Sequence, residues 1–211
     1  MMTRRSLLLC LAGGLAFAAT PSLADTPPSD VYARMQRVNT NLASFRADVT
    51  VAILTHGPPY ISPTLQGKIY FRKPDKNAVV FDAVPFIAQA AKHVVAQLEP
   101  PSEWPQIYDV TPTGDDGTTA TFRLVRKKNG RIDHVDVSVD DKTATVSGMT
   151  YFYRDNGGTI AFTQSYDQVG ENFLVKQQSG KVDIPHYNAN VTSTFSNYQL
   201  NVSVPDTVFD Q

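Results

Sequence analysis

The chain is short of the residues that usually carry chemistry. Its 211 residues hold one cysteine (Cys10), one tryptophan and four widely separated histidines, His56, His93, His134 and His186. A single cysteine forms no internal disulfide, and no histidine has a second ligand type at a metal-binding spacing. There is no G-x-S-x-G elbow, no cysteine nucleophile and no glycine-rich phosphate loop. Catalysis, a metal and a cofactor are therefore without support. No basic stripe runs through the chain, which argues against nucleic acid. Asp115-Asp116 and Asp140-Asp141 sit beside turn signals, where aspartates serve the backbone. Arg126-Lys127-Lys128 ends at an expected hairpin tip and reads as a solvated end.

The first 24 residues read as an export signal. Arg4 and Arg5 form a basic head, Leu7 to Phe17 an apolar stretch, and Ser22-Leu23-Ala24 a small-x-small cleavage site. The paired arginines also loosely match a twin-arginine signal, so the export route stays open. Cys10 lies within the apolar stretch and leaves with it. Residues 25–211 are then expected to form a single cysteine-free domain, in the periplasm and soluble after cleavage, held by its own core. Removing Arg4 and Arg5 from the 19 Lys and Arg leaves 17 against 20 Asp and Glu, a net charge of −3. No later apolar run approaches the length of a membrane span. Two glycosylation-like triplets, at Asn190 and Asn201, are chance matches behind a bacterial-type leader.

What is present is alternation. Asp30 to Leu42, with Ser29 as N-cap and Val31, Met35, Val38 and Leu42 at helical spacing, predicts an amphipathic helix on the outside of a sheet. From Phe45 the period drops to two: Ala47, Val49, Val51 and Ile53 alternate with polar residues. Leu65, Gly67, Ile69 and Phe71 repeat the pattern, and Ala78 to Asp82, including Phe81, is a third strand. A second β half is expected from Trp104–Val110 onward, through Thr119–Lys127, Ile132–Asp140, Ala144–Arg154, Thr159–Asp167, Phe173–Ile184 and Val191–Val204. Asn129-Gly130 is the strongest hairpin signal, because both residues tolerate the positive φ of a type I′ turn. Such a meander curls into a barrel or half-barrel.

One stretch breaks the pattern. Between Pro85 and the Pro100-Pro101 stop, Phe86, Ile87, Ala90, Ala91, Val94, Val95 and Leu98 fall within about half of a helical cylinder at about 100° per residue. Such a helix, roughly 20 Å long, can plug a core permanently or lie over a cavity as a lid. A concave apolar face beneath it suits acyl chains, since burial returns about 0.8 kcal/mol per CH₂ without polar partners.

Asn41-Leu42-Ala43-Ser44-Phe45 with Ala47 to Val51, Gly67-Lys68-Ile69-Tyr70-Phe71-Arg72-Lys73-Pro74, and the ending Phe195 to Val202 with Val204 to Phe209 together carry a resemblance. In order and spacing the chain resembles the periplasmic outer-membrane lipoprotein carriers, the LolA-like and LolB-like proteins. The resemblance implies an unclosed antiparallel β-barrel, mainly β with an N-terminal helix and a helical lid, that carries acyl chains of lipoproteins or lipids without catalysis or cofactor. It also implies an inner-membrane ATP-driven release complex and an outer-membrane acceptor as partners, and a monomer. Lid residues would be Phe86, Ile87, Ala90, Ala91, Val94, Val95 and Leu98; sheet residues Val49, Val51, Ile53, Leu65, Ile69, Phe71 and Phe81. Two departures stand out. The family's latch arginine before the strand-ending proline is Lys73 here, a point charge without the guanidinium fork; its parity allows it to point inward. The family's hairpin before the lid is missing between Asp82 and Pro85. A protein-binding or envelope-sensor module on the same fold is the alternative, and it would have a tightly packed interior.

Overall fold

The computed structural model describes residues 28–58, 60–74, 76–83 and 99–210. The signal segment and every residue expected in the lid, Phe86 to Leu98, lie outside the described residues. Ten strands dominate: β1 (Ser44–Thr55), β2 (Thr64–Arg72), β3 (Lys76–Phe81), β4 (Tyr108–Asp115), β5 (Thr119–Arg126), β6 (Ile132–Asp140), β7 (Thr145–Tyr153), β8 (Thr159–Val169), β9 (Asn172–Ile184) and β10 (Tyr187–Leu200). They form one sheet in the order β3-β2-β1-β10-β9-β8-β7-β6-β5-β4, antiparallel throughout. β3 and β4 are its unpaired edges, so the barrel is unclosed.

Directly opposed residues of an antiparallel pair point to the same face. Opposed pairs run Ile53–Val191, Val191–Gly180, Gly180–Phe162, Phe162–Met149, Met149–Val137 and Val137–Phe122. One face therefore carries the buried side chains from β1 across to β5. That face is the inside of a curl. Phe81 on β3 and Phe162 on β8 line one cavity, although five strand spacings, about 24 Å on a flat sheet, separate them. Gly180 permits part of this curl: the Phe162 ring lies where its Cβ would be, 2.5 Å away.

Both flanking helices differ from expectation. The first, α1 (Pro28–Met35), stops before Leu42. Arg37 and Val38 bond back three residues rather than four, and Asn39 turns left-handed at φ 57°. Its amide then acts as a strand partner, accepting from the Phe173 N–H at 2.9 Å and donating to the Phe173 carbonyl at 2.8 Å. The helix also sits inside the curl, not outside it. Val31 and Met35 are buried among Phe122, Leu124, Val135 and Val137, on the sheet's inner face. An apolar stripe dictates that a helix be covered, but not which face of a sheet covers it.

The stretch from Trp104 begins as one helical turn, α2 (Trp104–Ile107), with Pro105 in its first turn, and strand β4 starts only at Tyr108. Trp104 is buried, stacks on Tyr32 at 5.9 Å and donates its Nε1–H to the Glu99 carbonyl at 2.7 Å. Asn129-Gly130 does not form a tight type I′ turn. Neither residue has a positive φ, and the β5–β6 ladder ends at Leu124–Val135, although its register centres on these two residues.

The Gly180–Phe162 fit yields a prediction. Gly180→Ala should cost about 1–3 kcal/mol in urea unfolding, as overpacking does. In a Phe162→Leu background the same substitution should cost much less, since the obstructing ring is gone. An equal penalty in both backgrounds would contradict this account.

Candidate functional site

α1 and Trp104 fill the inner face over β4 to β8. The rest of that face, from β3 through β1 to β9, encloses a cavity lined by Val49, Val51, Ile53, Leu65, Val79, Phe81, Phe162, Gln178, Val191, Ser193 and Phe195. The parity of β1 and β2 places Val49, Val51, Ile53 and Leu65 there, each opposite a lining residue or Gly67. Gly67 lets β3 fold sharply over β2: a Cβ at this position would lie 2.3 Å from the Val80 carbonyl oxygen. That fold brings Val79 and Phe81 over the floor formed by β1 and β10. The cavity measures about 30 Å³, room for about two water molecules.

Of the seven sheet residues expected from the sequence, Val49, Val51, Ile53, Leu65 and Phe81 line this cavity together. Ile69 is buried on the same face, opposite Ala47 and Val79, but beyond the cavity. Phe71 lies further along, stacked on Phe45 at 5.4 Å, with Tyr198 edge-on to Phe45. Lys73 is exposed and does not point into the cavity. Its ammonium donates to the Thr40 carbonyl at 2.6 Å and the Asn39 carbonyl at 3.4 Å, holding the turn after α1. The lid it was expected to latch lies outside the described residues.

The sequence reading did not find Val79, Phe162, Gln178, Val191, Ser193 or Phe195. Four of these come from β9 and β10, which reach the site through the pairing of β10 with β1. Alternation in Val191-Thr192-Ser193-Thr194-Phe195 marks a two-faced strand, but not its neighbour.

Among the described residues the lining contains no ionisable one. Outside the lining, burial pushes the Tyr166 and Tyr198 phenols far above their ordinary range. The acidic pairs are occupied as turn builders. Asp116 accepts from the Thr118 and Thr119 N–H groups at 2.9 and 2.7 Å, and these bonds with the Thr118 hydroxyl hold its carboxyl below its usual range. Asp140 is held low in the same way by Thr143. His134 pairs with Asp133 and stacks on Phe152. Among the described residues no group of His, Cys, Asp and Glu is placed to hold a metal, and no helix is long and apolar enough to cross a membrane. The arrangement offers an apolar hole and little reactive chemistry.

No protein-family model matches the sequence, and no curated protein matches it. Solved structures do. A DUF1329 family protein from Desulfovibrio piger superposes with a TM-score of 0.65 at 15% identity, over 86% of this chain and 95% of that one. A protein described as an outer membrane lipoprotein-sorting domain, from Vibrio parahaemolyticus, gives 0.63 at 11% identity, over 86% and 94%. A LolA superfamily protein from Nitrosomonas europaea gives 0.60 at 9% identity, over 86% and 96%. The chain has the LolA-like fold. At these identities the likeness establishes the architecture, and the resemblance read from the sequence agrees with it.

The packing of the cavity wall can be tested directly. Leu65→Ala, at a position 1% exposed, should cost about 3 kcal/mol in urea unfolding and enlarge the cavity enough to bind xenon. A cost below about 1 kcal/mol with no xenon binding would mean that the wall collapses into the space.

Proposed function

We propose that the chain is a non-catalytic periplasmic carrier that takes acyl chains of lipoproteins or lipids into the cavity between β1, β2, β3 and β10 and shuttles them towards the outer membrane. The observation that carries this reading is a mainly apolar cavity, with no ionisable lining among the described residues, on the inner face of an unclosed half-barrel. Apolar walls return free energy with every methylene they take from water, whereas an enzyme would need titratable groups converging there. The leader at residues 1–24 and the lipoprotein-sorting description of one structural neighbour point the same way. An inner-membrane release complex and an outer-membrane acceptor are the partners this reading entails, with the protein acting as a monomer. The helix from Phe86 to Leu98 is assigned to the lid on the sequence alone.

A second reading, a protein-binding envelope module, draws on the small size of the cavity. An acyl chain enters about 30 Å³ only if Phe81, Phe195 and their neighbours move apart.

Native mass spectrometry with lipid extraction, on the mature chain purified from a bacterial periplasm, separates the two. Wild type should release acyl lipid. Val79→Lys/Phe81→Lys should release at least about ten-fold less while its melting temperature moves by only a few degrees. Both positions are half-buried on an edge strand, where a lysine with its long apolar stem is tolerated. A clean wild-type protein that also ignores added lipopeptides would shift the assignment to protein binding.

A further inference from the structure

The cavity floor is not uniformly apolar. Gln164 on β8, Gln178 on β9 and Ser193 on β10 stand opposite one another in register, and Ser193 in turn opposes Val51 on β1. These residues therefore form a polar row across the inner face. Gln178 and Ser193 line the cavity and are only 9% and 8% exposed. Neither side chain has a hydrogen-bond partner among the described residues, whereas Gln164 is held by the Tyr166 hydroxyl at 2.7 Å. Their polar atoms are not among those sealed off without a partner, so they keep open surface, and in cavity-lining residues that surface is free for water or a ligand to fill. A wall built only for packing would carry leucine or methionine at position 178.

We propose that Gln178 and Ser193 hold the carbonyl oxygen of an ester- or amide-linked acyl chain, so that the cavity selects neutral acyl esters and amides over free fatty acids and bare hydrocarbon. This rests on the acyl-chain reading given above. The glutamine amide supplies two N–H donors and the serine one O–H, matching the acceptor-only oxygen of an ester. An N-acyl amide presents the same oxygen. A free carboxylate would bring a full charge into a lining that holds no cation among the described residues, and a buried charge without a partner is strongly disfavoured. The hydrocarbon tail would run along Val49, Val51, Leu65 and Phe81.

The test titrates the mature chain with four ten-carbon probes: methyl decanoate, N-methyldecanamide, decanoate at pH 8, and decane. Wild type should bind the ester and the amide alike, and both at least about ten-fold more tightly than decanoate or decane, the worth of about one net hydrogen bond. Gln178→Met/Ser193→Ala should lose that margin, bind decane unchanged, and melt no lower than wild type. The carbonyl ¹³C resonance of labelled methyl decanoate should shift on binding to wild type, a readout that needs no variant to fold. Equal binding of all four probes by wild type would overturn the carbonyl site and leave the acyl-chain reading standing. Decanoate binding as tightly as the ester would do the same. Binding of none of the probes would overturn both.

Discussion

The pairing of β1 with β10 is the constraint on which the molecule depends. Without it the chain is two antiparallel meanders, β1 to β3 and β4 to β10, each with one apolar face open to water. The pairing joins residues near opposite ends of the described chain, from Phe45–Leu200 to Thr55–Ala189. It places Val49 beside Phe195, Val51 beside Ser193 and Ile53 beside Val191, and so assembles half the cavity wall in one step. A bulge between Arg46 and Asp48 interrupts the ladder. There Asn197, itself left-handed at φ 55°, donates to the Asp48 carboxylate at 2.8 Å. Contacts of such sequence separation form late and at a high loop-closure cost.

Once curled, the sheet has a single inner face that its own chain covers unevenly. Over β4 to β8 the space is filled by α1 and Trp104, with Tyr32 stacked on the indole and tilted against Phe122. Over the other half the described side chains meet one another across the curl and leave a hole between them. The division falls at β8. Phe162 belongs to the core under α1 and also to the cavity lining, and Ile160 packs against both clusters. Gly180, opposite Phe162, gives that ring its place. The same helix that closes one end of the curl thus limits how far the cavity can extend.

Ten strands were legible because alternation is local: a period of two in Phe45 to Ile53, or in Val135, Val137 and Val139, needs no knowledge of what lies across the sheet. The cavity residues on β1 and β2, and Phe81 on β3, followed from the same parity, while Val79 did not. Phe162, Val191, Ser193 and Phe195 did not, since pairing between distant strands leaves no mark in local spacing. The helix of Val31 and Met35 was assigned to the wrong face because its stripe specifies burial without direction. Asn129-Gly130 lies at the centre of the β5–β6 register, as its hairpin signal predicts, but the ladder ends at Leu124–Val135 and the connection is wider than the dipeptide alone would make. Nothing in the local sequence marks Gln178 and Ser193 as inward-facing. Composition ranks both types as surface residues, and only the register turns them inward.

That last mismatch bears most on function. Where a sequence breaks a local rule at a buried position without a compensating partner, stability is given up for something other than packing. Here the pair without side-chain partners falls on the cavity wall, between β9 and β10 and next to Gln164. β3 is the wall opposite. It has six residues, pairs on one side only, and presents Val79 and Phe81 half-buried. Donors that open onto a cavity facing an edge strand fit a site whose remaining partner arrives from solution with its own acceptor and its own hydrocarbon.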